Sequence, residues 1–279
     1  MKPAPFEYHA PESVGDAVGL LAEYGDEAKP LAGGQSLIPM LALRLARFEH
    51  LVDLNRVADV QGVQRDDGTL VIGAMTRQTT IERDPVVASG APLLAMATRH
   101  IGHFQIRNRG TVGGSLAHAD PASEYPAVAL ALGAEFEVTS SSGRRLVPAD
   151  EFFVGTWMTA LEPDELLTAI RFPVWPGAGV AIEEVARRTG DFALTGAAVV
   201  SAPDRTAIAL FGMGSTAVRA PDAERAAAEG ADPAEVGQLA VRDLDPPDDI
   251  HATGHYRKRV GAHLVQRALV KARKDALNG

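Results

Sequence analysis

The spacing of apolar residues predicts short helices along the first half of the chain. Val14, Ala17, Val18 and Leu21 recur at intervals that place them on one face of a helix. Ser13 stands just before this run, where a hydroxyl can cap the helix. Together with similar patterns further along, this predicts helices over residues 13–24, 37–46, 79–87, 92–101 and 123–132.

Short runs rich in β-branched and aromatic residues predict strands between and after these helices. These runs cover residues 29–32, 51–54, 70–74, 135–140, 144–147, 165–172, 197–202 and 206–211. Alanine-rich helices follow the last strand, and a basic amphipathic helix is predicted over residues 255–276. Residues 105–115 are predicted to be a glycine-rich loop. Strands followed by helices are typical of an α+β fold, and residues 173–179, rich in proline and glycine, predict a domain boundary.

Composition excludes several classes of protein. The net charge is −9, and such a field repels phosphate backbones, so no nucleic-acid partner is expected. The chain has 0 cysteines, so it cannot hold a disulfide or an iron–sulfur cluster of its own. No apolar run reaches the roughly 20 residues of a membrane span. No signal-peptide pattern is visible at the N-terminus, so a cytoplasmic location is expected.

Two glycine-rich segments are the strongest candidates for ligand binding. Residues 32–36 read Ala-Gly-Gly-Gln-Ser, and residues 110–115 read Gly-Thr-Val-Gly-Gly-Ser. Adjacent glycines permit positive φ angles and close approach of the backbone to a ligand. Successive N–H groups then form a concave anion site, to which nearby hydroxyls add donors. Neither segment has the Rossmann or P-loop glycine spacing, so those two nucleotide-binding folds are disfavoured.

Longer stretches around these segments resemble a known family. Residues 32–40 and 105–121 are similar to the two flavin loops of the FAD-binding medium subunits of molybdenum hydroxylases. That family includes carbon-monoxide, xanthine and aromatic-heterocycle dehydrogenases. Residues 50–54, 71–74 and 187–193 are also similar, so the resemblance follows the order of nearly the whole chain.

The resemblance implies a specific architecture. It implies an α+β fold whose first part is a two-lobed, PCMH-type FAD-binding region, like that of vanillyl-alcohol oxidase. This domain would cover residues 1–173, with lobes of about 1–57 and 58–173. A C-terminal α+β domain of antiparallel strands and helices would cover residues 174–279.

The resemblance also implies which residues contact FAD. Both glycine-rich segments would hold the diphosphate through backbone N–H groups, while Asp120 and Glu124 would accept from ribose or ribityl hydroxyls. Apolar and aromatic side chains would line the flavin. The implied set is Ala32, Gly33, Gly34, Gln35, Ser36, Ile101, Thr111, Val112, Gly113, Gly114, Ser115, Asp120, Glu124, Leu167 and Phe192. Glu184 departs from the family pattern, because relatives often carry lysine there.

The resemblance finally implies the role of the chain. It would be the FAD-carrying electron-transfer subunit of an oxidoreductase, with [2Fe–2S] clusters on a small partner and the molybdenum cofactor on a large one. The expected assembly is a dimer of heterotrimers. No catalytic residue and no metal ligand is expected on this chain. His100 and His103 have helical metal-ligand spacing, but no acidic residue is close in sequence.

Two alternatives stay open at the level of sequence. The chain could be a self-sufficient flavin oxidoreductase of the same fold, which would need its own acid or base beside the flavin. It could also be a non-catalytic scaffold whose glycine pairs are only turns. The sequence leaves the hydroxylated substrate and the external electron acceptor open.

Overall fold

The computed structural model describes residues 2–278 and contains four sheets with helices packed around them. The strands are β1 (Glu7–His9), β2 (Ala28–Leu31), β3 (His50–Asp53), β4 (Val63–Asp66), β5 (Thr69–Gly73), β6 (Glu135–Ser140), β7 (Gly143–Pro148), β8 (Phe153–Gly155), β9 (Met158–Thr159), β10 (Leu166–Pro173), β11 (Gly179–Ala186), β12 (Ala193–Ser201), β13 (Thr206–Phe211) and β14 (Val218–Arg219). The helices are α1 (Val14–Tyr24), α2 (Leu37–Ala42), α3 (Gln78–Arg83), α4 (Pro85–Gly90), α5 (Pro92–Thr98), α6 (Phe104–Arg107), α7 (Val112–His118), α8 (Glu124–Leu132), α9 (Ala149–Phe152), α10 (Pro221–Ala228), α11 (Pro233–Val241) and α12 (Gly254–Asn278).

The N-terminal part is a small parallel sheet covered by α1. The strand order is β1-β3-β2, so Pro30 lies on an edge strand, where a missing N–H is tolerated. Ala17, Val18 and Leu21 of α1 are buried, and the Ser13 hydroxyl accepts from the amide of Asp16 at 3.0 Å. The predicted helix and its cap are therefore confirmed.

The middle part is a five-stranded antiparallel sheet in the order β4-β5-β10-β6-β7. Helix α8 packs into the same core, and every one of its 9 residues is buried. A helix that is apolar on all sides belongs in a protein interior. Glu124, at its first position, is therefore a carboxyl group inside the protein rather than on its surface.

The C-terminal part is an antiparallel sheet in the order β11-β12-β13-β14, and both of its faces are buried. Ala198 and Val200 of β12 face the core of the middle part, whereas Ala197 and Val199 face the core under α10 to α12. This alternation follows the two-residue period of a strand. The α+β fold class is confirmed, but the boundary at 173/174 stays a prediction, because one core contains residues from both sides of it.

Several predicted elements have different limits in the structure. The helix expected over residues 37–46 ends at Ala42, and the one expected over 79–87 is divided at Asp84, which precedes Pro85. A residue before proline is driven out of the helical region, which explains the break. The segment 105–115 is not one loop, since α6 and the start of α7 lie in it. Strands β1, β4, β8, β9, β11 and β14 and helix α9 were not predicted.

Among residues 2–278, no helix combines the length and apolar character needed to cross a membrane.

Candidate functional site

The two glycine-rich segments, separated by more than seventy residues in sequence, lie directly against each other. A Cβ built on Gly33 would lie 2.4 Å from the carbonyl oxygen of Arg109. A Cβ built on Gly114 would lie 3.0 Å from the Cβ of Ala32. Only glycine permits backbone contacts as close as that at Gly33. The structure therefore brings the two predicted segments together at one place.

The first segment presents a row of unused backbone donors. Within residues 2–278, the amides of residues 33–36 donate to no protein acceptor. Gly34 has a φ of +73°, and the Gln35 side chain donates to the carbonyl oxygen of Gly33 at 2.9 Å, which fixes the turn. Buried or half-buried amides are seldom left without a partner. Four neighbouring ones are suited to an anionic ligand.

The second segment differs from the prediction, because its amides are used inside the protein. The amide of Val112 donates to the Thr76 carbonyl at 3.0 Å, and that of Gly113 donates to the Ala74 carbonyl at 2.8 Å. Thr111 caps α7 by accepting from the Gly114 amide, and its carbonyl accepts from that of Ser115. The hydroxyl of Ser115, 3.5 Å from that of Ser123, is the group this segment can offer most directly to a ligand.

Arg77 and Asn55 join the two segments and were missed in the sequence. The Arg77 guanidinium donates to the Arg109 carbonyl oxygen and, at 2.6 Å, to the Asn55 side-chain oxygen. Asn55 in turn donates to the Ala32 carbonyl at 3.1 Å. Burial and the nearby Arg109 guanidinium lower the pKa of Arg77. Among the described residues no carboxylate lies within ion-pair distance of either guanidinium, and Asp53 attracts Arg77 only from further away, so together the two cations favour an anion nearby.

Replacing Arg77 by methionine is expected to weaken FAD binding about tenfold or more. The change removes two charge-assisted hydrogen bonds that hold the segments together, each worth roughly 1.5–3 kcal/mol. Titration of the FAD-free chain with FAD, followed by flavin fluorescence, measures the loss. Arg83→Met at the end of α3 is the control. Equal FAD affinity in wild type and Arg77→Met would remove Arg77 from the site.

A cluster of three ionisable side chains lies beside Ile101. Glu124 is 4% exposed, and burial, together with the nearby Glu184 carboxylate, raises its pKa to about 8. One oxygen of Glu184 lies 3.1 Å from Nδ1 of His100, and the other is buried without a hydrogen-bond partner among the described residues. The same contact raises the pKa of His100. Glu124 therefore holds a proton at neutral pH and can donate as well as accept, whereas the resemblance implied only an acceptor.

Three further predicted residues, Leu167, Asp120 and Phe192, lie on three separate segments of the chain. Leu167 is buried in β10, next to Thr168, whose carbonyl accepts from the Ala74 amide at 2.9 Å. Asp120 follows α7, and its carboxylate accepts from the Trp157 indole at 3.2 Å. Phe192 is 61% exposed. Its loop packs on the segment after Ile101, because a Cβ on Gly190 would lie 2.8 Å from the His103 ring.

Comparison with known proteins gives the same assignment for both parts of the chain. Residues 4–175 match the family model described as "FAD binding domain in molybdopterin dehydrogenase". Residues 180–272 match the model described as "CO dehydrogenase flavoprotein C-terminal domain".

Full-length relatives have similar sequences. The chain is 42% identical to the carbon monoxide dehydrogenase medium chain of Hydrogenophaga pseudoflava, over 96% of this chain and 97% of the other. It is 41% identical to subunit alpha of the 6-hydroxypseudooxynicotine dehydrogenase complex of Paenarthrobacter nicotinovorans, over 98% and 96%.

Solved structures have the same fold. A chain of Hydrogenophaga pseudoflava carbon monoxide dehydrogenase superposes with a TM-score of 0.95 at 43% identity, covering 99% of both chains. A chain of quinoline 2-oxidoreductase from Pseudomonas putida 86 gives 0.92 at 35% identity, covering 99% of this chain and 100% of the other. The resemblance seen in the sequence is confirmed, and the chain belongs to the family of FAD-binding medium subunits of molybdenum hydroxylases, a class of oxidoreductases.

Proposed function

We propose that this chain carries electrons from [2Fe–2S] clusters on a small partner subunit, through FAD, to an external acceptor. The observation that carries this proposal is the row of four unused amides at residues 33–36, set against a second segment of an FAD-binding domain. Iron–sulfur clusters need thiolate ligands, and the chain has 0 cysteines. The clusters must therefore lie on another chain, and the molybdenum cofactor would lie on a large third subunit.

The residues at the two segments fit FAD. We assign the diphosphate to the amides of residues 33–36, with the Ser115 hydroxyl and the Gly114 surface completing the cradle. The neutral N–H donors and the guanidiniums of Arg77 and Arg109 would attract the diphosphate locally. This local attraction is needed because the net charge of the whole chain is negative. Asp120 and Glu124 would bind hydroxyl groups of the cofactor. Ile101, Leu167 and Phe192 would line the flavin.

FAD, when bound, supplies the one- and two-electron redox chemistry that no side chain of this chain can perform. The chain's own residues bind and orient it, and the apolar ones exclude water from it. Glu124 holds a proton at its carboxyl oxygen, and the Glu184 carboxylate close by lies 3.1 Å from Nδ1 of His100. No residue of this chain needs to act on the hydroxylated substrate, whose binding site would be on the large subunit.

We assign the docking surface of the small subunit to exposed apolar side chains beside the flavin residues. Phe104 is 61% exposed, and Ile106 and Phe192 are exposed on segments that flank Ile101. Exposed aromatic groups are enriched where proteins associate. Short electron-transfer distances would require the cluster-bearing subunit to approach the flavin from this side.

Phe104→Asp is expected to reduce the amount of small subunit that co-purifies with this chain by at least about tenfold. A carboxylate in a desolvated interface has no partner to compensate its burial. FAD content should not change, because Phe104 lies outside the two segments. Leu146→Asp, at an exposed position of β7, is the control. Equal recovery of the small subunit with both variants would show that Phe104 is not in the interface.

The proposed function is tested by purifying the chain from its native cells through a tag. The expected preparation contains FAD, iron and molybdenum, with one small and one large subunit per chain, in a dimer of heterotrimers. Removal of FAD from this complex should stop reduction of an external acceptor while dithionite still reduces the clusters. Persistent acceptor reduction without FAD would contradict the proposal.

A self-sufficient flavin oxidoreductase is the second candidate, and one observation favours it. The protonated Glu124 and the His100–Glu184 pair are acid–base groups beside the predicted flavin. In that case the isolated chain with FAD would turn over an organic substrate, and the tagged preparation would contain neither iron nor molybdenum.

A further inference from the structure

We propose that Glu7, His9 and His50 form a binding site for a divalent cation of the zinc class. These side chains lie on the N-terminal parallel sheet, away from the two glycine-rich segments, and the proposed function does not use them. The sequence predicts no metal ligand on this chain, although His100 and His103 have helical metal-ligand spacing. The site is independent of FAD binding.

Sheet geometry brings the three side chains together. Glu7 and His9 are two residues apart on β1, so they lie on the same face of that strand. His50 begins β3, and its Cα is the parallel register partner of Glu7. Because sheet hydrogen bonds fix both strands, the ligand positions are set by the backbone rather than by a mobile loop.

The distances between the candidate ligand atoms suit a tetrahedral metal. His9 Nε2 and His50 Nδ1 are 3.1 Å apart, and a carboxylate oxygen of Glu7 is 3.7 Å from the same His50 nitrogen. Zinc bonds of about 2.0–2.1 Å place two tetrahedral ligands about 3.3 Å apart. The two observed distances lie on either side of this value, and all three atoms are within 4.8 Å of one another.

Neighbouring groups hold His50 and add negative charge. The Tyr24 ring stacks on the His50 ring with centroids 3.8 Å apart and an angle of 8° between the planes, which fixes the imidazole. Glu27 and Glu49 each have a carboxylate oxygen within 4.8 Å of a His50 nitrogen. The negative charge of these two carboxylates favours a cation at His50.

The donor set identifies the class of cation. Imidazole nitrogens with one carboxylate favour Zn²⁺, Co²⁺, Ni²⁺ and Cu²⁺ over Mg²⁺ and Ca²⁺, which prefer all-oxygen sites. Without metal, the two imidazoles share one hydrogen bond across the 3.1 Å contact. Both imidazoles can bind the cation as neutral rings when His9 Nε2 and His50 Nδ1 carry no proton. Three protein ligands leave a fourth position for water, so micromolar affinity is expected.

The test uses the full chain after removal of metals with a chelator. Equilibrium dialysis should find one Zn²⁺ per chain, and Co²⁺ should give the strong visible absorption of a tetrahedral complex. Binding should raise the melting temperature of the chain, because the cation stabilises only the folded state. His9→Gln and Glu7→Gln should each weaken Zn²⁺ binding about tenfold or more. His263→Gln, at an exposed position of α12, should not.

Two results would overturn the proposal. One is the absence of stoichiometric binding at millimolar Zn²⁺, which would leave the histidine pair as a simple hydrogen bond. The other is equal Zn²⁺ affinity in the wild type, His9→Gln and Glu7→Gln. Both histidine rings stack on Tyr24, with centroids 5.4 Å away for His9 and 3.8 Å away for His50, so Glu7→Gln, which leaves both rings in place, is the more conservative of the variants. Repeating the titration with FAD bound should give the same affinity, which separates this site from the proposed function.

Discussion

Replacing Gly33 by valine is expected to abolish stable FAD binding by this chain. A Cβ at this position would lie 2.4 Å from the Arg109 carbonyl oxygen and 2.7 Å from the Gly110 Cα. Both are backbone atoms, so the clash cannot be relieved by a side-chain rotation. The two segments must separate, and the row of amides at residues 33–36 is displaced. We expect FAD affinity to fall at least about 100-fold, or about 2.8 kcal/mol.

Gly114 is restricted in the same way as Gly33, and Gly19 provides a control. A Cβ on Gly114 would meet the Thr111 hydroxyl at 2.7 Å and the Ala32 Cβ at 3.0 Å, so Gly114→Val should also lose FAD. Gly19 lies in α1 of the same part of the molecule, and a Cβ there meets nothing within 4 Å. Gly19→Ala should therefore bind FAD as the wild type does. Flavin absorbance per chain after reconstitution measures all three, and stoichiometric flavin in Gly33→Val would refute the cradle.

Glu124→Gln is expected to make the FAD-free chain more stable than the wild type in alkaline solution. Burial, reinforced by Glu184, raises the pKa of Glu124 from 4.5 to about 8. Between these values the folded wild type keeps a proton that the unfolded chain releases. Its stability therefore falls as pH rises, by as much as about 1.4 kcal/mol per pH unit.

The glutamine side chain does not ionise in this pH range, so the stability of the variant should not fall with pH for this reason. The advantage of Glu124→Gln should grow from pH 4.5 to about 8 and then level off. Across this interval it could reach several kcal/mol, which is a large part of the stability of an ordinary domain. Urea unfolding at a series of pH values measures it. Glu135→Gln, at an exposed position of β6, is the control, and parallel profiles for wild type and Glu124→Gln would show that Glu124 titrates normally.

The local parts of the fold were predictable from the sequence. The cap at Ser13 and the strands β6 and β7, which pair as a hairpin, depend on neighbouring residues, and all are found where the sequence predicts a cap or a strand. The break before Pro85 was not predicted, since one helix was expected over residues 79–87, although proline is known to restrict the residue before it. Strand β11 was harder to predict, because its burial depends on packing against α5 and α12, which are far away in sequence.

The chemistry of the site depends on contacts that no local pattern contains. The glycine pairs marked both segments, but the amides of Val112 and Gly113 are used by the carbonyls of Thr76 and Ala74, about forty residues earlier. Arg77 stands in an ordinary polar stretch, and only the fold places it between the segments. The unusual protonation of Glu124 likewise follows from burial, which its polar sequence position did not indicate.

NMR of the ¹⁵N-labelled chain tests most directly whether the amides of residues 33–36 bind the diphosphate of FAD. Addition of FAD should move these four amide resonances downfield and protect them from hydrogen exchange, while the ³¹P signals of the cofactor shift and broaden. The amides of residues 112–115 should change less, since they already have protein acceptors. Stoichiometric FAD binding that leaves the resonances of residues 33–36 unmoved would contradict the account.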